Sequence, residues 1–171
     1  MSALARRVVV VAVATLTLLA TSAIYAHTLG EATVKTGRWH GITWKFTAQA
    51  GSDGSYCIAM TVGGREEGRS CGELGNDGIT YLAHSGRPAP NYVLGVVIAR
   101  ARSVQITFFN GRSIRISTIP PPPALDRGTR FFAAILPCRP AMPRSFVARN
   151  AAGRTVARLV IPRPRGPKLS C

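Results

Sequence analysis

The sequence predicts an all-β protein: a single antiparallel β-sandwich of roughly eight to nine strands, preceded by a signal peptide. Three observations carry this. Short alternating or fully apolar runs recur after Ala26, and Gly, Pro or Asn separates them. No helical crossover fits between the runs, which disfavours parallel βαβ folds. Four consecutive prolines, Pro120 to Pro123, cannot enter a sheet interior and mark an extended connector between strands.

The elements follow in chain order. Residues 1–26 read as a signal peptide: Arg6 and Arg7 supply the positive start, and Val8 to Ala20 is an uncharged run of 13 residues. Small residues follow at Ala20, Ser22, Ala23 and Ala26, so cleavage falls after Ala26 or after Ser22. The alternative is an uncleaved anchor, since Val8 to Ala26 spans 19 uncharged residues. Residues 27–36 are expected to be a flexible N-terminal segment, 37–161 the β-sandwich domain, and 162–171 a Pro- and Arg-rich tail.

Within the domain, His40 to Ala48 alternates, with Ile42, Trp44, Phe46 and Ala48 on one face. Further runs are Tyr56 to Val62, Arg69 to Leu74 across Gly63-Gly64, and Ile79 to Ala83. Tyr92 to Ala99 and Arg130 to Leu136 are apolar on both faces, which is the pattern of strands covered on both sides. Ser103 to Phe109 and Ser113 to Ile119 form a hairpin, and Phe146 to Arg149 with Thr155 to Ile161 another.

The first of these hairpins has a predictable register. A two-residue turn at Asn110-Gly111 would set Ile106 opposite Arg115 and Val104 opposite Ser117, mixing apolar and polar side chains on one face. A three-residue loop instead pairs Phe108 with Arg112, Ile106 with Ile114 and Val104 with Ile116, and puts Gly111 in the left-handed position of a bulge. That turn is the expected one, with Arg115 facing solvent.

Composition narrows the function classes. The chain has 171 residues, 46% of them apolar, which is enough to build a core and excludes a disordered chain. Its formal charge is +15, from 22 Lys+Arg against 7 Asp+Glu. The charge is uneven. From His27 to Ser85 there are 5 basic and 6 acidic residues, whereas from Gly86 onward there are 15 basic residues and one acid, Asp126. Coding bias toward Arg, Ala, Gly and Pro is one account of the arginines. The other is a face that attracts polyanions through Arg100, Arg102, Arg112, Arg115, Arg149, Arg154 and Arg158.

The four cysteines, Cys57, Cys71, Cys138 and Cys171, all lie after the signal segment. Their spacing is not that of a zinc site, and in an oxidising compartment they are expected as disulfides. Three connectivities are open. Cys57–Cys71 would tie neighbouring strands across a Gly-rich turn, and Cys138–Cys171 would pin the tail.

Several segments together resemble a group of secreted or envelope proteins of actinobacteria with no assigned function. They are Trp44-Lys-Phe, Tyr56-Cys-Ile, Ser70-Cys-Gly, Leu94-Gly-Val-Val, Val104-Gln-Ile-Thr-Phe-Phe-Asn-Gly-Arg, Arg130-Phe-Phe-Ala-Ala-Ile-Leu-Pro and Val147-Ala-Arg-Asn-Ala-Ala-Gly-Arg. The resemblance runs from about Gly37 to Arg158. It implies a β-sandwich and a disulfide between the cysteines matching Cys57 and Cys71, and it transfers no catalytic residue.

Catalytic signatures do not emerge. No serine sits in a G-x-S-x-G elbow. The acids Asp53, Glu66, Glu67, Glu73 and Asp77 fall in Gly-rich turn sequence, where acids solvate loops. Trp44 is expected in the core, and Trp39 partly buried. Cleavage after Ala26 would make His27 the N-terminus. Its amine and imidazole would chelate copper, with His40 or His84 completing the site. The sequence reading is therefore an exported, non-catalytic binding or structural module of the cell envelope without a cofactor, whose basic half contacts anionic polymers. The alternative is a copper-binding protein or copper enzyme using His27.

Overall fold

The computed structural model describes residues 30–85, 89–125, 128–136 and 142–163. These contain eleven strands, all paired antiparallel: β1 (Ala32–Trp39), β2 (Ile42–Ala50), β3 (Tyr56–Val62), β4 (Arg65–Gly72), β5 (Ile79–His84), β6 (Asn91–Ile98), β7 (Ser103–Phe108), β8 (Ser113–Ser117), β9 (Thr129–Leu136), β10 (Pro143–Arg149) and β11 (Thr155–Val160). They form three sheets, ordered β1-β2-β3-β4, β5-β6-β9 and β11-β10-β7-β8.

The sheets stack as layers, and β6 explains why. Its residues are buried on both faces, and they divide between two cores. Tyr92, Leu94 and Val96 pack with Trp44, Phe46, Ile58 and Met60 of the first sheet. Val93 and Val97 pack with Val104, Ile106, Phe146 and Ala148 of the third. β9 divides likewise, Phe131 to one side and Phe132 to the other. The β5-β6-β9 sheet is thus the middle layer, with a sheet against each face. Alternating side chains of a pleated strand make this possible, because residues i and i+2 serve one face and i+1 the other.

The all-β, antiparallel class is the one expected, with more strands among the described residues than the eight to nine of a single sandwich. The architecture is sandwich-like, with eleven strands in three sheets. The N-terminal boundary shifts as well. Over residues 32–36, expected to be a flexible segment, the chain already forms β1, which pairs with β2 from Ala32↔Ala48 to Trp39↔Ile42. Residues 1–29 and 164–171 lie outside the described residues, and with them the signal segment, His27 and most of the C-terminal tail.

Two turns carry sequence logic directly. β3 and β4 are joined by Gly63-Gly64, both at positive φ (57° and 86°), which glycine adopts without steric cost. The β7–β8 hairpin has the expected register, with Val104↔Ile116 and Ile106↔Ile114. Phe108 N–H donates to Arg112 O at 2.9 Å, and Gly111 sits at φ 83°. Trp44 is buried, Trp39 half-buried, and the proline run connects β8 to β9 outside any sheet.

Cys57 and Cys71 are register partners on β3 and β4 and form a disulfide, with Cα atoms 4.0 Å apart. Cys138 and Cys171 lie outside the described residues. No helix among the described residues is long and apolar enough to cross a membrane.

Candidate functional site

The outward face of the β11-β10-β7-β8 sheet follows from its register. Arg158, Val147, Gln105 and Arg115 stand opposite one another in a single cross-strand row. The next row carries Thr155, Arg149, Ser103 and Ser117, and the row on the other side Val160, Ser145, Thr107 and Ser113. Arg115 and Arg158 are exposed, as expected for a face turned away from Ile114, Ile116 and Leu159. Three strand steps separate them, about 14 Å at the usual inter-strand spacing.

The sequence-derived arginines do not form one patch. β7 and β10 run antiparallel, so the turns that follow them lie at opposite ends of the sheet. Arg112, in the β7–β8 turn, is at one end. Arg100, Arg102, Arg149 and Arg154 gather at the other, where Arg102 N–H donates to Arg149 O at 2.7 Å. Arg115 and Arg158 lie on the face between.

At the crowded end the guanidiniums are held by backbone carbonyls and hydroxyls. Arg149 Nη1 donates to Gly153 O at 3.1 Å, while its Nε is buried with no partner. Arg102 Nη1 donates to Ala99 O at 2.9 Å. Asn150 shapes the β10–β11 turn by accepting the Arg154 N–H on its side-chain oxygen at 3.0 Å, as Asn110 does for Arg112 in the other hairpin.

Sequence reasoning missed Arg130, at the start of β9. It reaches from the middle layer to the end of β8, its Nε donating to Thr118 Oγ1 at 2.7 Å. The available signal was a lone cation opening a strand apolar on both faces, beside a threonine that follows an alternating run.

The acids lie elsewhere. Glu31 precedes β1, Asp53 is in the β2–β3 loop, Glu66 and Glu67 are on β4, and Glu73 and Asp77 are on the crossing to β5. Among the described residues no Asp or Glu occurs on β7, β8, β10, β11 or their turns. Glu66 is committed to Arg69, whose guanidinium approaches to 2.7 Å and holds the carboxyl below its ordinary pKa. Asp53 accepts the Ser55 N–H at 2.9 Å, and hydrogen bonds from Ser55 lower its pKa. Asp53 has the loop role that the sequence suggests, whereas Glu66 and Glu67 are strand residues of β4 and not turn residues.

The histidines are placed far less suggestively than the arginines. His40 occupies the β1–β2 turn at φ 46°, edge-on to Trp39. His84 ends β5 and stacks on its cross-strand neighbour Tyr92 with ring centroids 5.4 Å apart. Its Nε2 is buried without a partner, as is the Tyr92 hydroxyl. Burial, with Glu67 and Glu66 nearby, pushes the Tyr92 phenol up to about 12. Among the described residues no group of three or more His, Cys, Asp or Glu could hold a metal ion.

Comparison with known proteins adds no relative: no family model, no curated protein and no solved structure matches the chain.

Proposed function

We propose that this chain is an exported, non-catalytic β module whose arginine-bearing sheet makes weak, salt-sensitive contact with anionic polymers of the cell envelope. One observation supports it above the rest: the separation of charge by layer. A coding preference for arginine adds cations everywhere. It does not clear carboxylates from one outer sheet and its turns while leaving them on the other.

Distance makes the separation effective. Packed sheets lie about 10 Å apart, so the two outer layers are about 20 Å apart. That exceeds twice the screening length of about 8 Å at physiological salt. Glu66 and Glu67 therefore do little to neutralise Arg115 and Arg158. A polymer laid across the third sheet meets cations, hydroxyls, Gln105, Val147 and the exposed Val160, and no carboxylate among the described residues. Arginine suits phosphate and carboxylate alike through its two-pronged donor geometry.

The test is binding of the full chain to long-chain polyphosphate across a salt series. The expected result is a linear fall of log affinity with log salt over roughly 50 to 200 mM. Arg115→Gln with Arg158→Gln is expected to weaken binding and flatten that slope. Affinity that holds constant across the series overturns the reading. Export is checked by the intact non-reduced mass of the secreted protein. A mass starting after Ser22 or Ala26 with no alkylatable thiol supports it, and a mass retaining Met1 refutes it.

A further inference from the structure

The crowded end of the third sheet contains a point as well as a surface. Two guanidiniums converge on the carbonyl oxygen of Ala101. Arg102 reaches it directly, Nη1 donating at 3.3 Å. Arg130 reaches it through Thr118. Its Nε donates to Thr118 Oγ1 at 2.7 Å, and that hydroxyl donates to Ala101 O at 3.0 Å. Arg130 Nη2 also donates to Thr118 O at 3.2 Å. The three residues come from separate elements, the β6–β7 turn, the end of β8 and the start of β9, tied by Thr118 N–H donating to Arg102 O at 3.0 Å.

Among the described residues this arrangement has no counter-charge. Among the described residues the ion pair is Arg69 with Glu66, on the first sheet, and no carboxylate answers Arg102 or Arg130. Burial and the Arg102 charge both work against the Arg130 cation. Two like charges are nonetheless held close by neutral acceptors. The unspent donors are Arg102 Nε and Nη2 and Arg130 Nη1, while Thr118 has used its hydroxyl on both sides. A planar carboxylate is satisfied by a single guanidinium fork. The Nε–Nη2 fork of Arg102 and the Nη1 of Arg130, arriving from different elements, suit a tetrahedral anion, which offers oxygens in several directions and enough charge to balance both.

We propose that Arg102 and Arg130 form a binding site for one phosphate group, free or as a unit of a polymer. The site rests on the polyanion reading above and sharpens it from a face to a pair of residues. Thr118 is a positioning residue, fixing Arg130 relative to the Ala99–Arg102 turn.

The experiment is thermal unfolding of the full chain titrated with inorganic phosphate, against chloride at matched ionic strength. The expected result is a saturable rise in Tm with phosphate alone. Arg102→Gln, at an exposed position, should weaken the phosphate affinity at least tenfold with the starting Tm little changed. Arg130→Lys should weaken it several-fold, since lysine keeps the charge but loses the fork on Thr118. Arg65→Gln, exposed at the start of β4 on the other outer sheet, should leave it intact. A chloride effect equal to that of phosphate overturns the site, as does a phosphate effect that survives Arg102→Gln. A long-chain polyphosphate arm separates this site from the broader reading. Polymer binding that keeps its salt slope in Arg102→Gln, alongside an absent inorganic phosphate effect in the parent, defeats the site alone. A saturable phosphate effect beside salt-insensitive polymer binding defeats the broader reading alone.

Discussion

The two outer sheets cover opposite faces of the same middle layer, yet they are built differently. The β1-β2-β3-β4 sheet is an up-and-down meander with a disulfide between its last two strands and a carboxylate–guanidinium pair on its edge. The β11-β10-β7-β8 sheet lacks carboxylates among its described residues, and its end arginines are held by carbonyls, hydroxyls and turn asparagines. Both solve the same packing problem, since each presents one apolar face to β6 and β9. The freedom lies on the other face. An outer layer needs only half its side chains for the core, so the remaining half can carry charge of one sign at little cost to the fold.

The harshest way to break the comparison is through the shared layer. A Cβ on Gly95 would fall onto the Thr80 carbonyl oxygen and the Phe132 ring, neither of which can move away cheaply. Gly95→Ala is expected to cost about 3 kcal/mol or more, read from urea unfolding. If the sheets are one cooperative unit, a single transition shifts. Two separate transitions would mean that the outer sheets are independent and the contrast is between two domains.

Next in size is the disulfide. Its half-cystines are 14 residues apart in sequence. Opening a loop of about 15 residues is expected to cost about 3 kcal/mol. Replacing Cys57 and Cys71 together by Ala should raise hydrogen exchange in β3 and β4 more than in β7 and β10. Equal increases on both sides would show that the staple serves the whole stack.

Tyr92 gives a smaller effect with a pH signature. Its hydroxyl is buried without a partner, and its pKa is raised from about 10 to about 12. The folded state holds this proton where the unfolded chain has lost it. Stability is therefore unaffected below pH 10 and falls as pH rises from about 10 to 12. Tyr92→Phe is expected to stabilise by about 1 kcal/mol at neutral pH and to remove that part of the alkaline decline, measured by unfolding across the range. Unchanged pH dependence in the variant would mean that the hydroxyl is solvated after all.

The smallest effects on the fold sharpen the charge contrast most. Glu66→Gln and Arg115→Gln each alter one exposed side chain on opposite outer sheets. Neither is expected to shift the unfolding midpoint appreciably. Polyphosphate affinity should fall for Arg115→Gln and stay constant for Glu66→Gln. Equal responses would show that total charge governs binding and that the layer carrying it does not matter.

Much of this molecule was legible in its residues. The β7–β8 register followed from the requirement that Ile106, Ile114, Val104 and Ile116 share a face, with Gly111 free to take the bulge position. The two-sided burial of β6 was also readable. What covers its two sides was not, because periodicity reports that a face is buried and says nothing of the neighbour. β1 escaped notice because a register shift between Thr33 and Lys35 interrupts its alternation and its inward residues are only half-buried. The start of β4 was hidden by Arg65, Glu66 and Glu67, polar residues at a sheet edge. The charge asymmetry was visible as a difference between halves of the chain. Its meaning depends on the first half supplying one outer sheet and the second half the other, with the middle sheet shared between them. Arg130 could not be placed because its role is set by contact with Thr118, twelve residues earlier and just past the end of β8.

The order of strands in the middle sheet has a consequence in time. β1 to β4 pair each with the next, so the first sheet can assemble, and its disulfide can close, as soon as Gly72 is available. β6 cannot be completed in the same way. Its second partner is β9, and the β7–β8 hairpin and the proline connector come first in the chain. A chain emerging from its N-terminus therefore exposes Val93 to Val97 with one open edge until Thr129–Leu136 arrives. Late pairing of this kind is slow and prone to association between chains. The delay makes β6 the segment most in need of protection during synthesis, and a chain truncated before Thr129 should aggregate through it.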